Sequence, residues 1–315
     1  MRVVVTGGSG FVGRHVIDAL AASHHESIGF GGPQPDGNRL HKVDVLDADA
    51  LREAVARAEP DAVIHLAGNA FVPHAREHPL EAIDVNAGGV ANVLEAVRSY
   101  RDRTGKSIRV IIGGSAAVYG AQREERMPLD EGAPIRSTDP YSATKIAAEA
   151  YASAWQAAFG IDCVITRLFN AIGAGQDARF VVASFAHQLA AIAAGAEPVM
   201  YVGNLETKRD FLDVRDVASA YVALAERGRS GEIYNICSGK AVSIREILRE
   251  LITMARVPVE VRDDPERMRA SDTPILFGDA SKLRATTGWE PSYALEASLR
   301  SIYADARERV AAVSA

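Results

Sequence analysis

Arg2-Val3-Val4-Val5-Thr6-Gly7-Gly8-Ser9-Gly10-Phe11-Val12-Gly13 decides how the rest of this chain is read. The β-branched run reads as a short strand and the glycines as a turn. Val16, Ile17 and Leu20 then continue at helical spacing. Gly7-x-x-Gly10-x-x-Gly13 permits a tight turn, close approach of backbone to a pyrophosphate, and close packing of helix on strand. The first helical turn would offer free N–H groups and its positive dipole end to an anion. A glycine trio is a weak signal by itself, but between a first strand and a helix it points to a dinucleotide. Gly7, Gly10, Phe11, Val12 and Gly13 are the expected contacts.

Working outward, Ser27-Ile-Gly-Phe30 reads as a second strand ending in Gly31-Gly32-Pro33. No acidic residue stands there to hold a ribose 2′-hydroxyl, and none repels a 2′-phosphate. NADPH or NADH is the expected cofactor, with NADPH slightly favoured. Val43-Asp44-Val45 reads as a third strand, with Asp44 either at the adenine amino group or an ordinary loop aspartate. The run 61–68 is a fourth strand whose small end, Leu66-Ala67-Gly68, lets a cofactor lie on the backbone; His65 reads as a packed strand histidine. A helix over about 84–100, with Asn86 near its start, precedes a continuously apolar fifth strand, Ile108-Arg-Val-Ile-Ile112. Asp162-Cys-Val-Ile-Thr-Arg-Leu168 is a sixth.

Strands alternating with helices at this spacing imply an α/β fold with a doubly wound, parallel Rossmann sheet. Past 168 the pattern loosens into a helix at about 180–194, a polar run at 204–216, a strand at 232–237, and helices after Ser243 and Tyr293. The expected organisation is a dinucleotide-binding domain over 1–168, with 212–238 returning to it. A smaller C-terminal substrate-binding lobe would be built from 169–211 and 239–315.

Tyr141-Ser-Ala-Thr-Lys145 carries the expected chemistry. On a helix these two side chains share one face, about 5–6 Å apart at Cβ. A tyrosine titrates near ~10, too high for proton transfer at neutrality, and reaching ~7 takes about 4 kcal/mol. A neighbouring ammonium, helped by a cationic nicotinamide, favours the phenolate.

Composition narrows the classes. The chain has 315 residues, 48% of them hydrophobic, and a net charge of -6. No basic field invites nucleic acid or an anionic membrane. The two cysteines, Cys163 and Cys237, sit in apolar runs and read as buried free thiols. Nothing accompanies His65 at ligand spacing, and no metal is expected. The longest apolar stretch, about 180–194, is interrupted by His187 and Gln188 and reads as a core helix. The first strand begins almost at Met1 with no leader-like run ahead of it, so a cytoplasmic protein is expected.

The ordered set Thr6-Gly-Gly-Ser-Gly-Phe-Val-Gly13, Asp44, His65-Leu-Ala67, Ser115 four residues before Tyr119, Tyr141-x-x-x-Lys145 and Arg209-Asp-Phe211 resembles the extended short-chain dehydrogenases/reductases. These are the NAD-dependent nucleotide-sugar epimerases, dehydratases and reductases, and the resemblance covers nearly the whole chain. It implies that Ser115 hydrogen-bonds the reacting oxygen and Tyr141 moves the proton. Lys145 would lower the pKa of Tyr141 and bind the nicotinamide ribose. Asp44, Val45, Leu66, Ala67, Gly68, Asn86, Tyr141 and Lys145 would join the glycine turn around the cofactor. Asn170 and Arg209 match positions that hold the nucleotide diphosphate, as does Arg269 in Met-Arg-Ala-Ser-Asp272, and Glu131 is placed with them on the substrate side. Guanidinium forks suit a diphosphate; the alternative is surface ion-pair arginines.

Within the family, the second half is most similar to the GDP-4-keto-6-deoxy-D-mannose reductases. Phe169-Asn-Ala-Ile-Gly-Ala-Gly-Gln176, Val202-Gly-Asn-Leu-Glu206, Arg209 to Asp216, Tyr234-Asn-Ile-Cys-Ser-Gly239 and Thr286-Thr-Gly-Trp-Glu-Pro291 carry this finer likeness. Ala70 and Phe71 depart from it, standing where related enzymes often have small hydroxyl residues near the sugar. The expected activity is NAD(P)H-dependent reduction of the carbon 4 ketone of a GDP-4-keto-6-deoxy sugar, giving GDP-D-rhamnose or its 4-epimer. The alternatives are a nucleotide-sugar 4-epimerase with tightly bound NAD, a 4,6-dehydratase, and a dinucleotide-sensing regulator without chemistry. A dehydratase would need an acid and a base where this chain has Ala116 and Ala117, unless Glu131 or Asp139 reaches in. By analogy with related proteins, the helices near 84–100 and 141–159 are expected to make a homodimer.

Overall fold

The computed structural model describes residues 1–31, 40–267 and 273–314. The chain lays down β1 (Arg2–Thr6), β2 (Glu26–Gly31), β3 (Leu40–Lys42), β4 (Ala62–His65), β5 (Arg109–Ser115) and β6 (Asp162–Leu168). It then leaves for a second lobe with β7 (Asn170–Ile172), β8 (Val199–Val202), β9 (Lys208–Arg209) and β10 (Phe211–Asp213), and returns as β11 (Ile233–Ile236). The central sheet has seven strands in the order β11-β6-β5-β4-β1-β2-β3, and every pair in it is parallel. The order reverses between β1 and β4, where a ligand crevice opens at the carboxyl ends of the strands.

Both faces of the sheet are covered, which is why its strands read as unbroken apolar runs. Alternate residues Val3, Val5, Ile64 and Ile111 join the core under α1 (Phe11–Ala22) and, later in the chain, the helix over Val214–Arg227. Val4, Val63, Val110 and Ile112 point the other way, toward α2 (Ala48–Ala58), α5 (Gly89–Thr104) and α6 (Pro140–Phe159). Two short helices, α3 (Val72–Glu77) and α4 (Pro79–Ile83), precede α5. The lobe closes its own core between α7 (Val181–Ala193), α9 (Ile244–Ala255) and α11 (Leu295–Ser314), through Phe185, Leu189, Ile247, Leu251 and Leu299. The helix over Val214–Arg227 is α8. With α10 (Ser281–Thr287) and Trp289, it packs back on the sheet domain.

The structure departs from the sequence reading in several places. The third strand is β3, ahead of Val43-Asp-Val45, and Asp44 lies past its end. There its carboxylate accepts the Leu46 N–H at 2.9 Å, a local turn that competes with strand pairing. The helix expected over 84–100 opens with a π-helical turn at 84–88 before α5. β5 runs on to Ser115 because Gly114 can lie flat on β6; a Cβ there would come within 2.1 Å of the Thr166 carbonyl. The helices α8 and α10 were not foreseen.

Candidate active site

The glycine turn can be tested as a cofactor cradle by asking what a side chain would do there. Gly7 has φ +69°, and a Cβ on it would lie 2.7 Å from Ala67 N; one on Gly13 would lie 2.1 Å from the Gly7 carbonyl. Gly10 is exposed and meets only that same carbonyl, at 3.1 Å. The loop therefore needs glycine for its own closure at Gly7 and Gly13 and leaves an open face at Gly10. α1 begins there with no side-chain cap and no acidic residue in its first turn, so its first N–H groups are free for an anion. The residues fit a dinucleotide diphosphate. The floor of the crevice continues through Leu66, Ala67 and Gly68, where a Cβ on Gly68 would lie 2.8 Å from Asn86 Oδ1 and 3.6 Å from Lys145 Nζ.

His65 closes β4 beneath this floor. Its Nδ1 shares a 2.7 Å hydrogen bond with Thr6 Oγ1, and that hydroxyl accepts the Ala67 N–H at 3.3 Å. Its Nε2 has no hydrogen-bond partner among the described residues. Burial, reinforced by the Lys145 charge, pushes the imidazole down to about 3, so it is neutral at physiological pH.

The candidate reacting groups come from two elements. Ser115 ends β5, and its hydroxyl caps the 3₁₀ turn over Ala116–Tyr119, accepting the Ala117 N–H at 3.2 Å. Tyr141 and Lys145 sit in the first turns of α6, which a capping box fixes. Asp139 Oδ1 accepts the Ser142 N–H at 3.0 Å, and Ser142 Oγ accepts the Asp139 N–H at 3.2 Å. Lys145 Nζ donates to the Gly113 carbonyl at 2.9 Å. Burial lowers it to about 8, opposed by Glu149 one turn on.

Tyr141 corrects the sequence reading. Burial raises its pKa, and a hydrogen bond with Ser115 opposes that. The phenol is buried among Ala75, Ala82, Val72 and Ala117, an apolar wall that disfavours its anion.

Asn86 ties these parts together from the π-helical turn. Its Oδ1 accepts the Asn69 N–H at 2.8 Å, and its amide donates to Asn69 O at 3.1 Å and Thr144 Oγ1 at 2.9 Å. The bulge turns this side chain inward, a common use of a π turn at a site. Val45 is buried, and its carbonyl accepts from Asn92 Nδ2 at 2.9 Å.

The substrate-side residues divide. Asn170 lies on β7 and donates to the Asp210 carbonyl at 2.8 Å, and Arg209 lies on β9 with Nη1 on the Lys208 carbonyl at 2.9 Å. Arg269 lies outside the described residues. Glu131 presents its Oε1 to the Asn235 N–H at 2.7 Å.

Several residues that sequence reasoning missed or read otherwise are structural. Arg167 and Glu149 form a buried ion pair at 2.8 Å, and the Arg167 guanidinium lies 4.9 Å from the Tyr119 ring centroid. Asp210 accepts Ser238 N and Oγ and Gly239 N, while Asp216 accepts Ser292 N and Oγ and Tyr293 N. The Arg209–Asp216 motif thus includes two aspartates that staple the lobe to the sheet. Trp289 of the Thr286–Pro291 motif donates Nε1 to Asp216 O at 3.1 Å. Such long-range partners leave no local signal in a single sequence.

With this geometry in hand, the likenesses to known proteins fall into place. The family profile for GDP-mannose 4,6 dehydratase matches residues 4–302. The GDP-6-deoxy-D-mannose reductase of Pseudomonas aeruginosa is 38% identical over 310 residues, covering 98% of each chain. The solved structure of RMD from Pseudomonas aeruginosa complexed with NADPH superposes with a TM-score of 0.87 at 37% identity, covering 98% of this chain and 99% of that one. A GDP-6-deoxy-D-talose 4-dehydrogenase of Aggregatibacter actinomycetemcomitans is 28% identical, covering 91% of this chain and 92% of its own.

Proposed function

The chain belongs to the GDP-mannose 4,6-dehydratase family, and from that premise we propose that it is an NAD(P)H-dependent reductase acting on the carbon 4 ketone of a GDP-4-keto-6-deoxy sugar. The product is GDP-D-rhamnose or its 4-epimer. The observation that carries this reading is a Ser115, Tyr141 and Lys145 set beside Ala116 and Ala117, two methyl groups that can neither take nor give a proton. Glu131 and Asp139, the carboxylates that could have substituted, are held by Asn235 N–H and by the cap of α6. Proton removal at carbon 5 and hydroxide loss at carbon 6 therefore have no agent there, which disfavours the dehydratase.

Gly7, Gly10, Gly13 and the first turn of α1 would hold the diphosphate of the cofactor. Leu66, Ala67 and Gly68 would carry its length, and the Lys145 ammonium would meet the nicotinamide ribose. The reduced nicotinamide, when bound, supplies the hydride. Ser115 Oγ donates to the ketone oxygen and orients it. Tyr141, kept protonated by burial, gives that oxygen its proton as negative charge builds. Lys145 sets a positive field that stabilises the phenolate left behind. Asn86 keeps the Gly68-Asn69 strap and Thr144 in register, so the proton donor and the cofactor floor are fixed relative to each other. NADPH is the preferred cofactor, as a relative solved with NADPH supports.

We take the protein to work as a cytoplasmic homodimer. Tyr151 stacks on Trp155, which meets Phe159 edge to face along α6, with Tyr151 and Phe159 exposed; this face suits a second copy. Buried, free Cys163 and Cys237 agree with a reducing compartment, and no helix among the described residues is long and apolar enough to cross a membrane.

Purified protein is supplied with a dehydratase-generated GDP-4-keto-6-deoxy sugar and NADPH or NADH, and the product is identified. Cofactor oxidation coupled to a 6-deoxyhexose product is expected. Accumulation of the ketosugar from GDP-mannose and oxidised cofactor by the pure protein would overturn the assignment. NAD that stays bound through purification, with interconversion of 4-epimers, would restore the epimerase.

A further inference from the structure

Three residues beyond Gly68 the backbone reaches Phe71, whose N–H donates to Asn69 Oδ1 at 3.1 Å. Asn86 holds Asn69 and also donates to Thr144 of α6, so Phe71 is anchored to a strap tied to the residue before Lys145. Its ring meets Phe180, the residue that opens α7 in the other lobe, edge to face at 5.7 Å between centroids. The Arg179 guanidinium lies 4.8 Å over the Phe71 ring and is itself tied to Asp177 at 2.8 Å. The ring is thus held by its own backbone, by an aromatic neighbour from the opposite lobe, and by a cation whose charge is already matched. The next residue, Val72, packs with Ala117 on the small cluster that Tyr141 forms with Ala75 and Ala82. From residue 70 to 73 the side chains are Ala, Phe, Val and Pro, so this approach to the phenol offers neither hydroxyl nor carboxylate.

On the reading above, Tyr141 gives its proton to the oxygen on carbon 4. Carbon 6 hangs two bonds away, within reach of whatever lines the surroundings of that phenol. Building on that reading, we propose that Phe71, braced by Phe180, is a specificity-determining residue that selects a sugar whose carbon 6 is a methyl group over one bearing a hydroxymethyl group. A methyl group lies against the rings without loss. A hydroxyl would leave water for a surface whose nearest cation, the Arg179 guanidinium, is already paired with Asp177. Discrimination of an added hydroxyl by an apolar wall is worth roughly 10- to 100-fold.

The test runs the reaction backwards, as oxidation by NADP⁺. The substrates are the 6-deoxy product identified for the wild type and its 6-hydroxylated counterpart, which is GDP-mannose if the product is GDP-D-rhamnose. The readout is the ratio of the two kcat/KM values, with NADPH affinity measured by fluorescence titration. For Phe71→Ser the ratio should fall at least tenfold, mostly through a gain on the 6-hydroxy substrate, with NADPH affinity within twofold of wild type. Phe71→Leu, which keeps the wall apolar, should hold the ratio within threefold. An unchanged ratio in Phe71→Ser, or an equal loss on both substrates, overturns the role given to Phe71 while leaving the reductase intact. Failure of the wild type to turn over either sugar overturns the reductase reading and this inference with it.

Discussion

Replacing Glu149 by glutamine tests how the site is held from behind. Arg167 donates Nε to both carboxylate oxygens of Glu149 at 3.0 and 3.3 Å and Nη2 to one at 2.8 Å. The two side chains are only 5% and 8% exposed. Removing one charge of such a pair leaves the other buried without a counter-charge, which costs about 3–5 kcal/mol. Unfolding entropy of about 2.1 cal/mol/K per residue gives roughly 0.7 kcal/mol per degree for this chain of 315 residues. The melting temperature should therefore fall by about 4–7 °C in scanning calorimetry. Glu149 also raises the pKa of Lys145, which burial has brought down to about 8. Without that attraction Lys145 loses its proton at lower pH, so the alkaline fall in kcat/KM should begin earlier than in wild type. Converting both partners, Glu149→Leu with Arg167→Met, removes the stranded charge and should recover most of the lost stability. A single variant as stable as the parent, with an unmoved alkaline limb, would refute the assignment of this pair as the support of Lys145.

Three further outcomes are expected. Tyr141→Phe should keep the fold and NADPH binding and lower turnover by roughly 10²–10⁴; turnover near wild type would remove the proposed acid. His65 titrates near 6.5 when unfolded and about 3 when folded, so the unfolded chain binds the extra proton between those values. Its contribution to stability is complete above about 6.5 and falls by about 1.4 kcal/mol per pH unit below it. Urea denaturation from pH 7 to 4 should therefore show a shallower acid loss in His65→Gln than in wild type. Gly13→Ala places a Cβ 2.1 Å from the Gly7 carbonyl, so the turn must open. Fluorescence titration should show NADPH affinity reduced at least tenfold, while Gly105→Ala, with φ +74° and nothing within 4 Å, should leave it unchanged.

What could be read from the sequence was whatever is local. The first strand, glycine turn and helix, the two-sided burial of the apolar strands, and the Tyr141–Lys145 spacing all follow from neighbours in the chain. α8 was missed because the polar run at 204–216 masks its start, and its apolar face at Val217, Ala220, Tyr221 and Leu224 is explained only by the sheet it covers. The direction of the Tyr141 shift was misjudged for a similar reason. Spacing brings Lys145 near, but only tertiary structure supplies the apolar side chains that surround the phenol. The bond from Asn235 N–H to Glu131 was equally illegible, because its two ends lie 104 residues apart in sequence.

The path of the chain through the sheet has a practical consequence for anyone wishing to exchange the sugar specificity of such enzymes. β11 pairs with β6 through Ile233–Ile236, but the intervening residues build β7 to β10 and α7 in the other lobe. Residues Ala280, Leu283 and Trp289 then come back to the sheet core once more. A graft made with one cut after β6 would strip the sheet of its edge strand and of the helix over its face. It would leave the Ile165 and Leu168 backbone facing solvent as an open template for another chain. A transplanted lobe has to be inserted as separate segments between the chain's returns to the sheet, in the way that a garment is altered by panels rather than by the sleeve.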